Sequence, residues 1–282
     1  MFAENRINVG KYQMNVRHYH HENCKEVVVL IHGIPTNSHL WDRVIPYLKK
    51  NYSVLAVELI GYGKSDRGPY EDLTLPKQAT YILRALDQLH IPSAHFVGHD
   101  LGGGIVQILA VTHPERVKSI VVIDGVCFSN WPLPKVVSIR YPVAEEFFPS
   151  PLFIERMLRE GVYYPSMLTP ELLKMFILPF DTPTGPTELQ QASLALDHHQ
   201  TENLVPYLPH IKCPATFLWG QHDRYLVPYW GFLLHKTVPN STFKLIPNAS
   251  HYSMIDQPSI VSKELLLHLS RASLGYPREL EA

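Results

Sequence analysis

The sequence predicts an α/β fold in which a parallel β-sheet carries helices on both faces and is interrupted by a helical insertion. Two observations support this prediction. Short β-branched runs alternate with helix-length segments over the first 125 residues, and similar runs return near residue 215. Between residues 126 and 211 the strand-like runs are absent, and prolines separate short pieces with helical character.

Each predicted strand is a short run rich in apolar and β-branched residues. The run VVVLI at residues 27–31 is continuously apolar, as is typical of a parallel strand buried on both faces. The other predicted strands are residues 52–57, 94–97, 117–123, 215–219 and 242–246. Between them, residues 75–89 have the apolar spacing of an amphipathic helix. Further helices are expected near residues 40–48, 105–111 and 259–270.

The insertion is long enough to be a unit of its own. Its length is near the lower end of the usual size range of a domain. Its helix-compatible pieces include residues 152–159 and 171–177, with prolines at their boundaries. We therefore expect a core made of residues 1–125 and 212–282, and a helical unit made of residues 126–211.

The charge balance and the cysteines limit the partners and the compartment. Lys and Arg (25) nearly cancel Asp and Glu (26), which argues against a nucleic-acid partner. The longest apolar runs are strand-sized, far below the ~20 residues of a membrane span. Three cysteines without a CxxC spacing indicate a reducing compartment. Because the first residues also lack the pattern of a signal peptide, we expect a soluble cytoplasmic protein.

The sequence GHDLG at residues 98–102 lies directly between a predicted strand and a predicted helix. It matches the G-x-S-x-G pattern of a nucleophile elbow, with aspartate in place of serine. The two glycines allow the strand and the helix to pack closely around a tight turn, which exposes the central side chain above the sheet. Asp100 is therefore the candidate nucleophile.

Two more candidates follow later strands of the predicted sheet. Asp223 comes shortly after the strand at residues 215–219, and His251 follows the last strand. Because the carboxyl ends of parallel strands meet at one edge of a sheet, we expect Asp100, Asp223 and His251 to converge. Asp124, which follows the strand at residues 117–123, is the alternative to Asp223 as the acid.

These motifs resemble the α/β-hydrolase superfamily, and within it the branch with an aspartate nucleophile, the epoxide hydrolases and haloalkane dehalogenases. The resemblance covers nearly the whole chain and includes the segments at residues 32–41 and 61–66. It implies an eight-stranded, mostly parallel sheet, with residues 126–211 as a cap domain over the active site. The order Asp100, Asp223, His251 matches the order nucleophile, acid, histidine of that fold.

The residue types indicate a covalent mechanism. An aspartate is ionised at neutral pH, so Asp100 needs no base to displace a leaving group from a saturated carbon and form an alkyl ester. His251, oriented by Asp223, then activates the water that hydrolyses this ester. The resemblance assigns the oxyanion hole to the backbone N–H groups of Ile34 and Leu101. We expect a small apolar electrophile as substrate, with water and without a cofactor.

The resemblance also bears on the leaving group. Haloalkane dehalogenases hold the halide with a Trp after the nucleophile and a second Trp or Asn, whereas this chain has Leu101 and Ile34 there and offers Trp131 as one donor. Epoxide hydrolases need acidic hydroxyls, usually two cap tyrosines, and Tyr141 and Tyr207 are the candidates by position. They also usually carry an aromatic residue at position 34. We therefore expect the chain to be an epoxide hydrolase, with a haloalkane dehalogenase as an alternative.

Several alternatives stay open from the sequence. They are a haloalkane dehalogenase, an esterase or C–C bond hydrolase, and a relative that binds a ligand without turnover. The sequence also leaves open whether the chain forms a homo-oligomer. The adjacent histidines at residues 20–21 and 198–199 are expected to point apart in a helix or strand, so no metal site is expected.

Overall fold

The computed structural model describes residues 2–68, 72–142 and 148–274. Its strands in chain order are β1 (Phe2–Asn8), β2 (Gln13–Tyr19), β3 (Val27–Ile31), β4 (Ser53–Val57), β5 (Ala94–Asp100), β6 (Val117–Gly125), β7 (Ala215–Gly220) and β8 (Ser241–Ile246). They form one eight-stranded sheet in the order β1-β2-β4-β3-β5-β6-β7-β8. β2 pairs antiparallel with both β1 and β4, and the other neighbouring strands are parallel. The predicted fold class is confirmed.

Helices connect most of these strands. In chain order they are α1 (Ile45–Leu48), α2 (Leu75–Gln88), α3 (Leu101–Thr112), α4 (Pro134–Ser138), α5 (Pro151–Gly161), α6 (Pro170–Ile177), α7 (Gly185–Leu194), α8 (His199–Glu202), α9 (Tyr229–Thr237), α10 (Ser253–Asp256) and α11 (Pro258–Leu274). Among the described residues, no helix combines the length and the apolar character that crossing a membrane demands. Between β6 and β7, the described residues contain helices and loops but no strand.

Two strands at the edge of the sheet are absent from the sequence prediction. β1 has the sequence FAENRIN and only one buried residue, and it is an edge strand with one neighbour. β2 mixes polar and apolar residues, although most of its side chains are buried. A search for continuous apolar runs finds strands that are covered on both faces, such as β3, and therefore misses strands of this kind.

The central strands bring the candidate residues to one edge. Every residue of β3, β4, β5 and β7 is buried, which matches the short apolar runs that each of them contains. β5, β6, β7 and β8 lie side by side in parallel, so the residues at their carboxyl ends share an edge of the sheet. Asp100 is the last residue of β5, and the loops after β7 and β8 carry Asp223 and His251.

One carboxylate joins the segment after α5 to the loop after β8. Asp256, at the end of α10, accepts hydrogen bonds from the backbone N–H groups of Tyr163 (2.9 Å) and Tyr164 (3.0 Å). It also accepts one from the backbone N–H of Ser250, at 3.0 Å. Because Ser250 precedes His251, this side chain fixes the inserted helices relative to the histidine loop.

We expect the substitution Asp256→Ala to lower the free energy of unfolding by about 2 to 4 kcal/mol, because three backbone N–H groups lose their acceptor. Urea unfolding followed by circular dichroism measures this loss. The control is Asp87→Ala, which removes an exposed ion pair with Arg116 and should change stability by less than about 1 kcal/mol. Equal losses in the two variants would contradict the role given to Asp256.

Candidate active site

Asp100 sits at a strained turn between β5 and α3. Its backbone has φ 52° and ψ −115°, in the positive-φ region that residues with a side chain rarely adopt. α3 begins at the next residue, Leu101. A Cβ atom on Gly98 would collide with the backbone carbonyl of Gly102, and one on Gly102 would collide with that of Ile31. The two glycines of the GHDLG sequence are therefore required by this packing, and the turn presents the Asp100 side chain at the edge of the sheet.

Two backbone donors hold the Asp100 carboxylate. The N–H of Ile34 donates to its Oδ1 at 2.9 Å, and the N–H of Leu101 also bonds to the carboxylate. These are the two positions that the sequence analysis assigned to an oxyanion hole. In the free protein the carboxylate oxygen lies where the carbonyl oxygen of an ester on Asp100 would accept the same bonds.

His251 lies between two carboxylates. Its Nδ1 is 3.0 Å from Oδ2 of Asp223, and its Nε2 is 3.7 Å from Oδ2 of Asp100. The other oxygen of Asp223 accepts the backbone N–H groups of Tyr225 (2.8 Å) and Leu226 (3.0 Å). These bonds fix the Asp223 carboxylate, which in turn orients the imidazole so that Nε2 faces Asp100.

Asp124, the alternative acid, is directed elsewhere. It is fully buried and accepts hydrogen bonds from the backbone N–H of Gly220 and the hydroxyl of Ser253, both at 2.6 Å. Burial, reinforced by the charge of Asp223, raises the pKa of Asp124 well above its usual range. The structure thus places Asp223, and not Asp124, within hydrogen-bond distance of His251.

The charges of the site shift the pKa values of both reacting groups upward. Burial raises the pKa of Asp100 to about 6, although the charge of His251 and the two backbone N–H groups act in the opposite direction. Burial alone would lower the pKa of His251, but the charge and hydrogen bond of Asp223, helped by Asp100, raise it to about 9. Near pH 7 the free site therefore holds an aspartate beside an imidazolium.

Two buried histidines support the loops around the site. His32 accepts the backbone N–H of Leu59 on Nε2 (3.0 Å) and donates from Nδ1 to the carbonyl of Gly33 (2.9 Å). Burial lowers the pKa of His32 to about 4, so it acts as a neutral group. His99 donates from Nε2 to the carbonyl oxygen of His251 at 2.9 Å. Both histidines hold the backbone rather than a reactant.

A mainly apolar cavity opens onto Asp100 and His251. The core contributes Ile34 and Leu101 to its lining. The helical segment between β6 and β7 contributes further apolar side chains, including Val126, Leu133, Val136, Met157 and Leu196. An apolar lining of this kind suits an uncharged organic ligand that a few polar groups orient.

Of the three residues predicted to bind substrate, one lines the cavity and two do not. Trp131 lines the cavity, but its indole N–H donates to the hydroxyl of Thr201 at 2.6 Å. Tyr141 and Tyr207 are 78% and 56% exposed, and neither is among the residues that line the cavity. These two tyrosines therefore lie away from the cavity. Their position along the insertion does not specify which side of each helix faces inward.

Two tyrosines that the sequence analysis did not select line the cavity. Tyr225 follows Asp223 by two residues, and Tyr252 directly follows His251. The tyrosines predicted from the sequence to donate a hydroxyl, Tyr141 and Tyr207, both belong to the insertion. Their closeness in sequence to the candidate acid and histidine was the signal that could have identified them.

The expectation that His198 and His199 point apart is wrong. Their rings are stacked with centroids 4.1 Å apart, and Nδ1 of His199 is 2.7 Å from the carboxylate of Asp197. The reason is that α8 begins at His199, so the two residues do not share a regular helix. Together with Asp197 they offer ligand atoms within 4.8 Å of one another, outside the residues that line the cavity.

Comparisons with known proteins identify relatives that cover most of this chain. A sequence profile described as the alpha/beta hydrolase fold matches residues 26–258. An uncharacterized hydrolase of Bacillus subtilis, YugF, is 25% identical over 263 residues, which cover 89% of this chain and 93% of that protein. Human epoxide hydrolase 4 is 28% identical over 279 residues, which cover 86% of this chain and 72% of that protein.

The fold is also that of solved structures. The crystal structure of an ancestral haloalkane dehalogenase aligns with a TM-score of 0.84 at 20% identity. The alignment covers 96% of this chain and 99% of that one. At this level of identity the likeness establishes a shared fold.

Substitution of the two candidate acids should separate their roles. Asp223→Asn should lower the pKa of His251 by about 1 to 3, because it removes the charge bonded to Nδ1. Asp124→Asn should lower that pKa less, because Asp124 makes no hydrogen bond to His251 and its own raised pKa leaves it largely uncharged. The pH titration of the His251 ring by NMR measures both values. A larger effect of Asp124→Asn would reverse the assignment.

Proposed function

The chain belongs to the alpha/beta hydrolase fold family, and from this premise we propose that it hydrolyses a small apolar epoxide through an alkyl ester on Asp100. One observation carries the proposal. A carboxylate, rather than a hydroxyl, occupies the turn between β5 and α3, held by the backbone N–H groups of Ile34 and Leu101 and facing His251.

In the first step Oδ2 of Asp100 attacks a saturated carbon of the substrate. The carboxylate is already ionised near pH 7, so the step needs no base. Oδ1 stays bonded to Ile34, which fixes the carboxylate in one orientation. The product is an ester whose carbonyl oxygen keeps the bonds of the oxyanion hole.

In the second step His251 activates water against this ester. With a pKa of about 9, the free imidazole is largely protonated near pH 7 and is a poor base. Esterification removes the charge of Asp100, which is one of the charges that raise the pKa of His251. Formation of the ester therefore favours the neutral imidazole that the second step requires.

The cavity lining favours an epoxide over a haloalkane. A departing halide needs N–H donors. Among the described residues that line the cavity, Trp131 supplies the indole, and its N–H already donates to Thr201. Haloalkane hydrolysis is the second candidate, since reorientation of Trp131 would free one donor. Residues 126–211 act as the cap in this proposal, because they supply much of the apolar lining.

The variant His251→Gln should accumulate the ester, because Asp100 can still react while no base remains to hydrolyse the product. Intact-protein mass spectrometry after incubation with a panel of epoxides and 1-haloalkanes detects it. An epoxide adds its full mass, whereas a haloalkane adds its alkyl group less one hydrogen. We expect a single epoxide adduct on a peptide that contains Asp100.

The control is the double variant Asp100→Ala, His251→Gln, which should form no adduct. Diol formation and halide release by the unsubstituted protein are measured separately on the same panel. Halide release with no diol from any epoxide would favour the second candidate. Turnover of a substrate without an adduct in the His251 variant would contradict the covalent mechanism.

Ester formation should slow as the pH falls through about 6, because burial raises the pKa of Asp100 to that value and the protonated acid does not attack. In the His251→Gln variant this acid limb should move to a higher pH, since the charge of His251 lowers the pKa of Asp100. Single-turnover ester formation followed between pH 5 and 8 (a range of about one unit or more around that pKa) measures both limbs. A rate that stays constant down to pH 5, as expected for the ordinary aspartate pKa of 3.8, would contradict the raised pKa of the buried carboxylate.

A further inference from the structure

The hydroxyl of Tyr252 is buried without a hydrogen-bond partner. The side chain lines the cavity that contains Asp100 and His251, and the residue is fully buried. Among the described residues nothing bonds to its hydroxyl. Its ring centroid lies 5.0 Å from that of His251, and its backbone N–H donates to the carbonyl of Gly161 at the end of α5. Buried hydroxyls are normally paired, so an orphan in a cavity points to a bond made with a ligand.

The other aromatic donors of the cavity lining are already engaged. The indole N–H of Trp131 donates to Thr201, and the hydroxyl of Tyr225 donates to the carbonyl of Met157 at 2.7 Å. Tyr62 has another unpartnered buried hydroxyl, but it is not among the residues that line the cavity. Of the described lining residues with a phenol or an indole, Tyr252 is the one whose donor remains available.

We propose that Tyr252 is a catalytic residue that donates its phenolic proton to the epoxide oxygen as Asp100 opens the ring. This rests on the proposed function and assigns to a core residue the part that the sequence analysis gave to tyrosines of the insertion. A single hydroxyl donor suits an oxygen leaving group, and burial raises the pKa of Tyr252 well above its usual range, so the hydroxyl keeps its proton in the free site. The alkoxide formed by ring opening is more basic than a phenolate and takes the proton, whereas a halide ion takes none.

The protons balance over the two steps. When Oδ2 of Asp100 bonds to carbon, the ring C–O bond breaks and its electron pair goes to oxygen, which takes the proton of Tyr252. The imidazolium of His251 then returns a proton to the phenolate through cavity water, which leaves His251 neutral. In the second step water attacks the carbonyl carbon of the ester and His251 recovers a proton from that water. The bond from the carbonyl carbon to the alkyl oxygen breaks, and that oxygen takes the remaining proton of the new carboxylic acid, which leaves Asp100 as a carboxylate. Epoxide and water thus become a diol with every protein group restored.

The experiment measures single-turnover ester formation in the His251→Gln background. Adding Tyr252→Phe should slow ester formation from an epoxide by at least about 100-fold, which is the low end of the usual contribution of a general acid. The same substitution should leave alkylation by a 1-iodoalkane unchanged, because iodide needs no proton. A merely structural role would slow both reactions together, and that result would overturn the proposal.

Two matched variants isolate the hydroxyl. Tyr225→Phe removes a partnered hydroxyl in the same cavity, and Tyr62→Phe removes an orphan hydroxyl that does not line it; both should react with the epoxide far faster than Tyr252→Phe. Tyr252→Phe should keep the melting temperature of its parent, since the hydroxyl it loses bonds to nothing described. If that variant does not fold, a fluorinated tyrosine at position 252 keeps the shape, and its more acidic phenol should change the rate of epoxide opening.

These outcomes separate the inference from the proposed function. If His251→Gln alone forms no ester with any compound, the proposed function fails. If it forms the ester and Tyr252→Phe forms it as fast, only the inference fails, as it does if the fluorinated tyrosine leaves the rate unchanged.

Discussion

The candidate site depends on one backbone constraint, the turn at Asp100. The chain reverses there from β5 into α3 within a single residue at φ 52°, and the close packing of Gly98 against Gly102 permits it. The conformation places the carboxylate above the sheet and aligns the N–H of Leu101 with it. A turn of this kind costs backbone strain, of order 1 to 3 kcal/mol, which the buried strands on either side must offset. The rest of the site is arranged around the position that this turn fixes.

The second constraint is the number of carboxylates around one histidine. Asp100, Asp124 and Asp223 are all buried within the electrostatic reach of His251, and three negative charges in an apolar interior would be costly. In the structure each of the three carboxyl groups is stabilised in a different way. Asp223 pairs with the imidazole, Asp100 bonds to backbone N–H groups, and Asp124 has its pKa raised well above the ordinary range. This arrangement explains why Asp124 and Asp223 do not compete for the same hydrogen bond to His251. It also explains why the pKa of His251 and the pKa of Asp100 each depend on the charge of the other group.

The sequence predicted what rests on local patterns and missed what rests on tertiary contacts. The strands buried on both faces contain short apolar runs, and the elbow has its glycines at fixed spacing, so the central sheet and Asp100 could be identified directly. β1 could not be found in this way, because an edge strand keeps a polar sequence. The side chains that face the cavity also could not be chosen, since exposure of Tyr141 and burial of Tyr252 depend on how the insertion lies over the sheet. The positions of Asp223 and His251 after predicted strands identified them as the candidate acid and histidine. The groups that bond to these two side chains could be identified only from the fold.

The inserted helices complete the site instead of only covering it. The carbonyl of Met157 in α5 holds the hydroxyl of Tyr225, and the carbonyl of Gly161 in the same helix accepts the N–H of Tyr252. Asp256 ties the residues after that helix to Ser250, next to His251. The same helix that walls the cavity therefore fixes the loops carrying the acid and the histidine. Because charge–charge interactions strengthen as water is excluded, packing of α5 over the site favours the raised pKa values of Asp100 and His251, on which the proposed order of the two chemical steps rests.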